Sequence, residues 1–214
     1  RLMLFEVTKR IIDIVGAIFL LILFSPVIVA CAIAIKITSK GPLFADTPKR
    51  LGLNGKFFHP YKFRSMIQNA HKLLQTDPRF KKLYVQYKKS NYKLHEDPRV
   101  TPIGKFIRKH SIDEMPQFMN VLKGEMSIVG PRPYYPDELK EQLGKFPDEK
   151  KYLKDVLSVR PGITGYWQVS GRSNVNFDKR FEMDAYYAKK RSLVLDFLII
   201  LKTPWVMISG QGAV

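Results

Sequence analysis

From Ile14 to Ile35 the chain carries no charged side chain. At helical rise such a run is long enough to cross a hydrocarbon core of roughly 30 Å. Ser25-Pro26 lies in its middle. Proline lacks an amide donor and crowds the carbonyl four residues back, so the pattern predicts a kink, with the Ser25 hydroxyl available to a freed carbonyl. Basic residues flank both ends, Lys9 and Arg10 before and Lys36, Lys40, Lys49 and Arg50 after. The positive-inside rule then gives no preferred direction, and both ends are expected in one compartment. A re-entrant helix-break-helix over residues 1–40, dipping into one leaflet, satisfies kink and charge together. A straight span, a buried helix of a soluble core and a secretory signal compete with it. Ile28-Val29-Ala30-Cys31 looks like a lipoprotein cleavage site, but the apolar run continues past Cys31 and exceeds a signal core.

Beyond residue 40 the patterns shorten. Leu53-Asn54-Gly55-Lys56 predicts a hairpin over about Lys49 to Phe63, because Asn-Gly supplies the positive φ angles of a type I′ turn. Lys62-Phe63-Arg64-Ser65-Met66 alternates, with Lys62 and Arg64 on one face and Phe63 on the other, the pattern of a solvated edge. Met66, Ala70, Leu73 and Leu74 follow helical spacing, as do Phe80, Leu83, Tyr84 and Tyr87. Lys81, Lys82, Lys88 and Lys89 read as a solvated or membrane-facing stripe. Asp77-Pro78-Arg79 and Asp97-Pro98-Arg99 are turn signals. Gly130-Pro131-Arg132-Pro133 is a stiff turn that leaves Arg132 little freedom, and a second rigid loop runs from Arg160 to Arg172. Phe181 to Ser209 is amphipathic, with Tyr186, Tyr187 and Trp205. Its most apolar part, Leu193 to Leu201, is too short to span and carries Asp196, so interfacial helices are expected. The fold class is α+β, mostly helical with a small β-hairpin: a membrane segment at 1–40 and a catalytic domain at 41–214 ending in those interfacial helices.

Composition narrows the partners. The 214 residues suffice for one domain with a real core and an appendage. Lys plus Arg number 36 against 19 Asp plus Glu, a net charge of +17, which points to a polyanion, an anionic membrane face or a phosphorylated substrate. The single cysteine, Cys31, forms no intrachain disulfide, and the histidines show no zinc-ligand spacing. The chain begins without Met, as a trimmed chain or the last part of a longer protein does.

The chemistry is expected between Arg108 and Pro133. Asp113 and Glu114 stand there at a helix start, bracketed by Arg108 and Arg132. Ser111-x-x-Glu114 before Met115, Phe118, Met119 and Leu122 is a capping-box pattern, under which Glu114 merely caps. Pro116 fits that frame poorly, at the fifth helical position, and fits better with Asp113 as the N-cap. In either frame the pair lies where main-chain N–H groups and the helix dipole attract anions and keep a carboxylate ionised. Capping and catalysis both remain open on spacing alone.

With these residues in view, the chain resembles the bacterial polyprenyl-phosphate glycosyl-1-phosphate transferases, the monotopic phosphoglycosyl transferases. The carriers are Lys9-Arg10, Ser25-Pro26, Gly41-Pro42, Arg50-x-Gly52-x-x-Gly55, Lys62-Phe63-Arg64-Ser65-Met66 and Asp97-Pro98-Arg99-Val100-Thr101. Ser111-Ile112-Asp113-Glu114-Met115-Pro116-Gln117, Gly130-Pro131-Arg132-Pro133 and Arg160-Pro161-Gly162-Ile163-Thr164-Gly165 complete the set. The segment between Met66 and Asp97 and the ending Gly210-Gln211-Gly212-Ala213-Val214 look like the larger members, so the chain is expected to be their catalytic part. One departure stands out: many members have Phe-x-Gln-x-Arg before the hairpin, where this chain reads Phe44-Ala45-Asp46-Thr47-Pro48-Lys49-Arg50.

The resemblance implies transfer of a sugar-1-phosphate from a nucleotide diphosphate sugar, usually a UDP-sugar, to polyprenyl phosphate such as undecaprenyl phosphate. It implies Asp113 as nucleophile, Glu114 in metal or proton handling, Mg2+ held by Asp113 and Glu114, and Lys62, Arg108 and Arg132 around the phosphates. Arg64, Arg160 and Arg172 are further candidates at the nucleotide. The implied setting is the cytoplasmic leaflet of a bacterial inner membrane, at the first membrane step of polysaccharide biosynthesis, exopolysaccharide or lipopolysaccharide. No nucleic acid is expected, and homo-oligomerisation is left open. The rival reading is a membrane-tethered basic module that binds nucleic acid or anionic lipid without chemistry; steep salt dependence would mark it.

Overall fold

The apolar run folds as two helices, α1 (Leu2–Leu23) and α2 (Ser25–Thr38), separated at Phe24, whose φ of −93° and ψ of 3° lie outside the helical region. Pro26 falls in the first turn of α2, where a missing N–H has no intrahelical partner to lose. This is the break expected at Ser25-Pro26. The computed structural model describes residues 2–89, 94, 96–171 and 175–209. No single helix among them is long and apolar enough to cross a membrane, whereas α1 and α2 together meet that length and composition as a bent pair.

In chain order there follow β1 (Arg50–Leu51), β2 (Phe57–Phe58), α3 (Ala70–Thr76), α4 (Lys81–Lys89), α5 (Pro102–Lys109), α6 (Phe118–Lys123) and β3 (Ser127–Val129). The chain continues through α7 (Pro136–Lys145), α8 (Leu153–Leu157), β4 (Gly162–Thr164), α9 (Tyr166–Ser170), α10 (Phe177–Lys190) and α11 (Leu193–Ser209). These elements make two compact units. The first contains residues 1–23, 49–60 and 117–213, the second residues 24–48 and 61–116.

In the first unit, one apolar cluster joins Ala17 of α1, Phe58 of β2, Val121 of α6, Ile128 and Val129 of β3, Tyr187 of α10 and Ile199 of α11. A second joins Tyr134 to Leu139 and Leu143 of α7, Val156 of α8 and Phe177, Phe181 and Ala185 of α10. The expected hairpin forms but is shorter than Lys49 to Phe63: β1 and β2 pair antiparallel, with Arg50 opposite Phe58, the Lys56 N–H donates to Leu53 O at 3.2 Å, and Phe63 bridges Phe44 instead. Asn54 and Gly55, at φ of 55° and 74°, supply the two positive angles of a type I′ turn.

A parallel pair, β3 and β4, was not foreseen, because three-residue strands are too short to show alternation. Ser127 lies opposite Gly162 and Val129 opposite Thr164. The ladder joins the two stiff loops: the Gly130 N–H donates to Thr164 O at 3.0 Å and the Gly162 N–H to Pro131 O at 2.8 Å. Both glycines are required by close approach, since a Cβ on Gly130 would stand 2.3 Å from Arg160 O and one on Gly162 would stand 2.1 Å from Gly130 N.

The C-terminal helices divide. α11 keeps Val194, Phe197, Leu201 and Trp205 exposed, as an interfacial helix would. The amphipathic face of α10 is instead core, because Phe177, Phe181 and Ala185 are covered by α7 and α8. That corrects the interfacial placement expected from Phe181 onward.

In the second unit, Cys31 and Ile35 of α2 pack with Phe63, Ile107 of α5 and Ile112. The helical spacings after the hairpin emerge as α3, which buries Ala70 and Leu74, and α4. Both Asp-Pro-Arg turns fold alike. Asp77 accepts from the Arg79 N–H at 2.9 Å and Asp97 from the Arg99 N–H at 3.0 Å, and each arginine side chain pairs with its own aspartate.

Candidate active site

The acid pair belongs to the second unit, where three local features fix it. α5 ends at Lys109, and Ser111 takes a φ of 55°, turning the chain sharply. A 3-10 turn then runs over Ile112–Gln117 with Asp113 and Glu114 in its first turn and Pro116 inside. The left-handed Ser111 is not the extended N-cap that a capping box needs, so Glu114 does not cap. Ile112 and Met115, on either side of the acids, join the apolar cluster of α2. Finally, the strand-like segment at Lys62-Phe63-Arg64 runs beside the turn. The Phe63 N–H donates to Asp113 O at 2.9 Å, and the Lys62 ammonium donates to Glu114 Oε1.

Asp113 is buried, whereas the Glu114 and Lys62 side chains are partly open, at 34% and 24% exposure. Burial pushes the Asp113 carboxyl up from 3.8 to about 6; Lys62 and Arg108 pull it down and Glu114 raises it further. The dipole expectation of a carboxylate simply held ionised is therefore corrected, since a short 3-10 turn does not outweigh desolvation. Near neutral pH Asp113 is still mostly ionised, poorly solvated and faced by two cations. Such a carboxylate can act as a nucleophile towards phosphorus.

The arginines fall into different settings. Arg108 stands at the end of α5 and acts on Asp113 through its charge. Arg64, expected on a solvated edge and at the nucleotide, is buried. Its Nε, Nη1 and Nη2 donate to the carbonyls of Pro42, Lys40 and Ser39 at 2.6, 2.9 and 2.9 Å, so it clamps the chain leaving α2. Arg132 and Arg160 belong to the first unit. The Arg132 guanidinium lies 5.5 Å from the centre of the Trp167 ring, and its main-chain N–H donates to Asp184 Oδ2 at 3.2 Å. Arg160 Nε donates to Gly124 O at 2.9 Å, just past α6, where Arg10 also donates to Val121 O and Leu122 O. The two arginines thereby occupy the carbonyls at the α6 C-terminus. Arg172 lies outside the described residues.

A family model described as bacterial sugar transferase matches residues 4–210. The chain belongs to the bacterial sugar transferase family. Among its relatives in that family is the undecaprenyl-phosphate galactose phosphotransferase of Salmonella typhimurium, 42% identical over 212 residues, covering 96% of this chain and 41% of that protein. The exopolysaccharide production protein ExoY of Sinorhizobium fredii is 38% identical over 209 residues, covering 97% of this chain and 88% of that protein. The UDP-N-acetylgalactosamine-undecaprenyl-phosphate N-acetylgalactosaminephosphotransferase of Aeromonas hydrophila is 39% identical, covering 96% of this chain and 44% of that protein. The chain thus spans less than half the length of the Salmonella and Aeromonas proteins.

For this sugar transferase the donor chemistry bears on the expected Mg2+. Among the described residues no group of three or more His, Cys, Asp or Glu side chains converges. Asp113 and Glu114 are two adjacent carboxylates, and Mg2+ is commonly held by one or two carboxylates, with phosphate oxygens and water completing the octahedron. The residues present fit that habit. They do not fit an all-protein cage.

Proposed function

We propose that this sugar transferase moves a sugar-1-phosphate from a UDP-sugar to polyprenyl phosphate, releasing UMP, through a covalent intermediate on Asp113. The observation that carries the reading is the buried Asp113, lifted to about 6, faced by Lys62 and Arg108 and backed by the apolar cluster of α2. The names of the Salmonella and Aeromonas relatives support undecaprenyl phosphate as acceptor and a sugar phosphate as the group transferred.

An ionised Asp113 oxygen attacks the sugar-bearing phosphorus, and the bond from that phosphorus to the bridging oxygen breaks. UMP leaves with the electron pair. A phosphate oxygen of the lipid then attacks the same phosphorus, the aspartyl bond breaks, and the carboxylate is restored with polyprenyl diphosphate sugar as product. Lys62 and Arg108 neutralise charge on the phosphoryl oxygens, and Arg132, in the first unit, is carried over from the family resemblance as a phosphate-binding residue whose planar fork suits a diphosphate. Mg2+, when bound by Asp113 and Glu114, supplies charge neutralisation at the diphosphate. Glu114 aligns Lys62 through their ion pair.

The bent pair α1–α2 is read as a re-entrant segment in the bacterial inner membrane, with the catalytic portion on its cytoplasmic leaflet, where the nucleotide sugar and the lipid phosphate meet. The reaction is tested by incubating the protein with Mg2+ and a UDP-sugar radiolabelled in the sugar, without lipid. Label is expected on the peptide containing Asp113, and undecaprenyl phosphate is expected to chase it off. An active protein that never carries label, and that forms UMP only when both substrates are bound, would replace this mechanism with direct attack by the lipid.

A further inference from the structure

Pro131 and Pro133 have no main-chain N–H, so in Pro131-Arg132-Pro133 the only amide donor belongs to Arg132. That donor is taken by Asp184 Oδ2 at 3.2 Å. The same oxygen accepts the Tyr134 hydroxyl at 2.8 Å, so one carboxylate oxygen holds the turn on both sides of Pro133. Asp184 is fully buried on α10, in a helical stretch whose neighbours Phe181 and Ala185 are core, so it has little room to follow a moving loop. The rest of the turn is tied down nearby. Arg50 Nη1 donates to Pro133 O at 2.9 Å, its guanidinium lies over the Tyr135 ring, and the Leu51 N–H donates to Tyr134 O at 3.0 Å. The tether at Arg132 comes from a carboxylate that the mechanism does not otherwise use.

We propose that Asp184 is a positioning residue: by accepting the Arg132 N–H and the Tyr134 hydroxyl on one oxygen, it fixes the backbone from which Arg132 reaches the diphosphate of the sugar nucleotide. The part concerning substrate rests on the function proposed above. A planar fork engages two phosphate oxygens at once only if its base does not swing, so loss of the tether weakens sugar-nucleotide capture before it touches the chemistry on phosphorus. The recognition required is an acceptor oxygen at this point, and a neutral amide offers one as well as a carboxylate does.

The experiment uses the full chain in lipid nanodiscs, comparing Asp184→Ala, Asp184→Asn and Tyr134→Phe, with Arg132→Ala as the reference. Hydrogen exchange at the Arg132 amide reads the tether without reference to activity. In Asp184→Ala, exchange is expected to rise about tenfold, which is about 1.4 kcal/mol. The UDP-sugar concentration for half-maximal protein labelling is expected to rise with it, while the saturated labelling rate changes far less. Asp184→Asn is expected to restore both readouts, and Tyr134→Phe to leave exchange near wild type. Unchanged exchange in folded Asp184→Ala overturns the proposal, as does Asp184→Asn behaving like Asp184→Ala. If Asp184→Ala does not fold, Asp184→Asn decides: raised exchange there overturns the proposal, and retained protection with normal half-saturation supports it. Should Arg132→Ala label with wild-type half-saturation, the role of Arg132 in substrate binding fails, and the exchange data still judge the tether.

Discussion

Asp113→Asn should abolish the covalent intermediate and at the same time stabilise the protein. In the folded chain burial lifts the carboxyl from 3.8 to about 6, so the native state holds the proton more tightly than the unfolded state. Above about 6 the group is ionised in both states and its whole penalty is present. As pH falls from about 6 towards 3.8 the native state takes up the proton and the penalty fades. At about 1.4 kcal/mol per pH unit the penalty is about 3 kcal/mol at pH 7.5, roughly 1.6 at pH 5 and about 0.5 at pH 4. Asparagine removes the charge at nearly constant shape, and the favourable influence of Lys62 and Arg108 is already contained in the value of about 6. The variant should therefore melt higher than wild type at pH 7.5 by an amount corresponding to at most about 3 kcal/mol, and the gap should close towards pH 4. Wild-type labelling should fall over the same range, to about half at pH 6 and about one tenth at pH 5, with the fold intact. The assay is thermal unfolding in nanodiscs beside radiolabel incorporation, both as functions of pH. A variant less stable than wild type at pH 7.5, or a stability gap that does not change with pH, would refute the electrostatic account of Asp113.

Lys62→Met removes a cation that holds the Asp113 carboxyl down, so the acid limb of labelling should move upward from about 6, with reduced labelling at pH 6.5; a limb that stays in place would show that Lys62 does not act on Asp113. Pro26→Ala lets a continuous helix through residues 24–28 escape an interior proline penalty of about 3 kcal/mol. The variant should straighten towards a span and lose activity, and impermeant labelling of cysteines placed at residues 3 and 40 would reveal it by reporting opposite sides; same-side labelling with full activity would assign the break to another cause.

The elements that were legible in the sequence are those whose cause is local. Asn54-Gly55 dictates its own turn, Pro26 sets the break between α1 and α2, and the Asp-Pro-Arg triplets close on themselves. The chemistry at Asp113 and Glu114 showed as a charge pattern, yet the electrostatics did not, because desolvation depends on burial, and the packing of the flanking Ile112 and Met115 with α2 is tertiary. Arg64 was misplaced for a related reason. Alternation put it on the same face as Lys62, and nothing in the local sequence announced that the carbonyls of Ser39, Lys40 and Pro42 would fold back to meet it. The strands β3 and β4 were invisible because each is short and the two are far apart in sequence, although their glycines marked the place where the backbones approach. Lys9 and Arg10 carried a topological signal only. In the structure both are engaged within the first unit, Lys9 with Asp196 at 2.6 Å and Arg10 with the end of α6.

The second unit ties the acid pair to α2 by two independent means. Packing is the first: Ile112 and Met115, which flank Asp113 and Glu114, share a cluster with Ile28, Cys31, Ala32 and Ile35. The second is polar. Lys62 pairs with Glu114, Phe63 donates to the Asp113 carbonyl, and Arg64, the next residue, clamps Ser39 to Pro42 at the exit of α2. A three-residue segment thus touches both the acids and the chain that leaves the apolar helix. On the proposed reading this coupling answers a requirement of the chemistry. One substrate is soluble and can approach Asp113 freely, but the lipid phosphate is confined to the headgroup layer and meets the phosphosugar only at a set depth. A nucleophile carried on a long loop would sample many heights and sacrifice effective concentration at each. On that reading, the packing of Ile112 and Met115 against α2 and the bond from the Phe63 N–H hold Asp113 at a depth set by the bent pair.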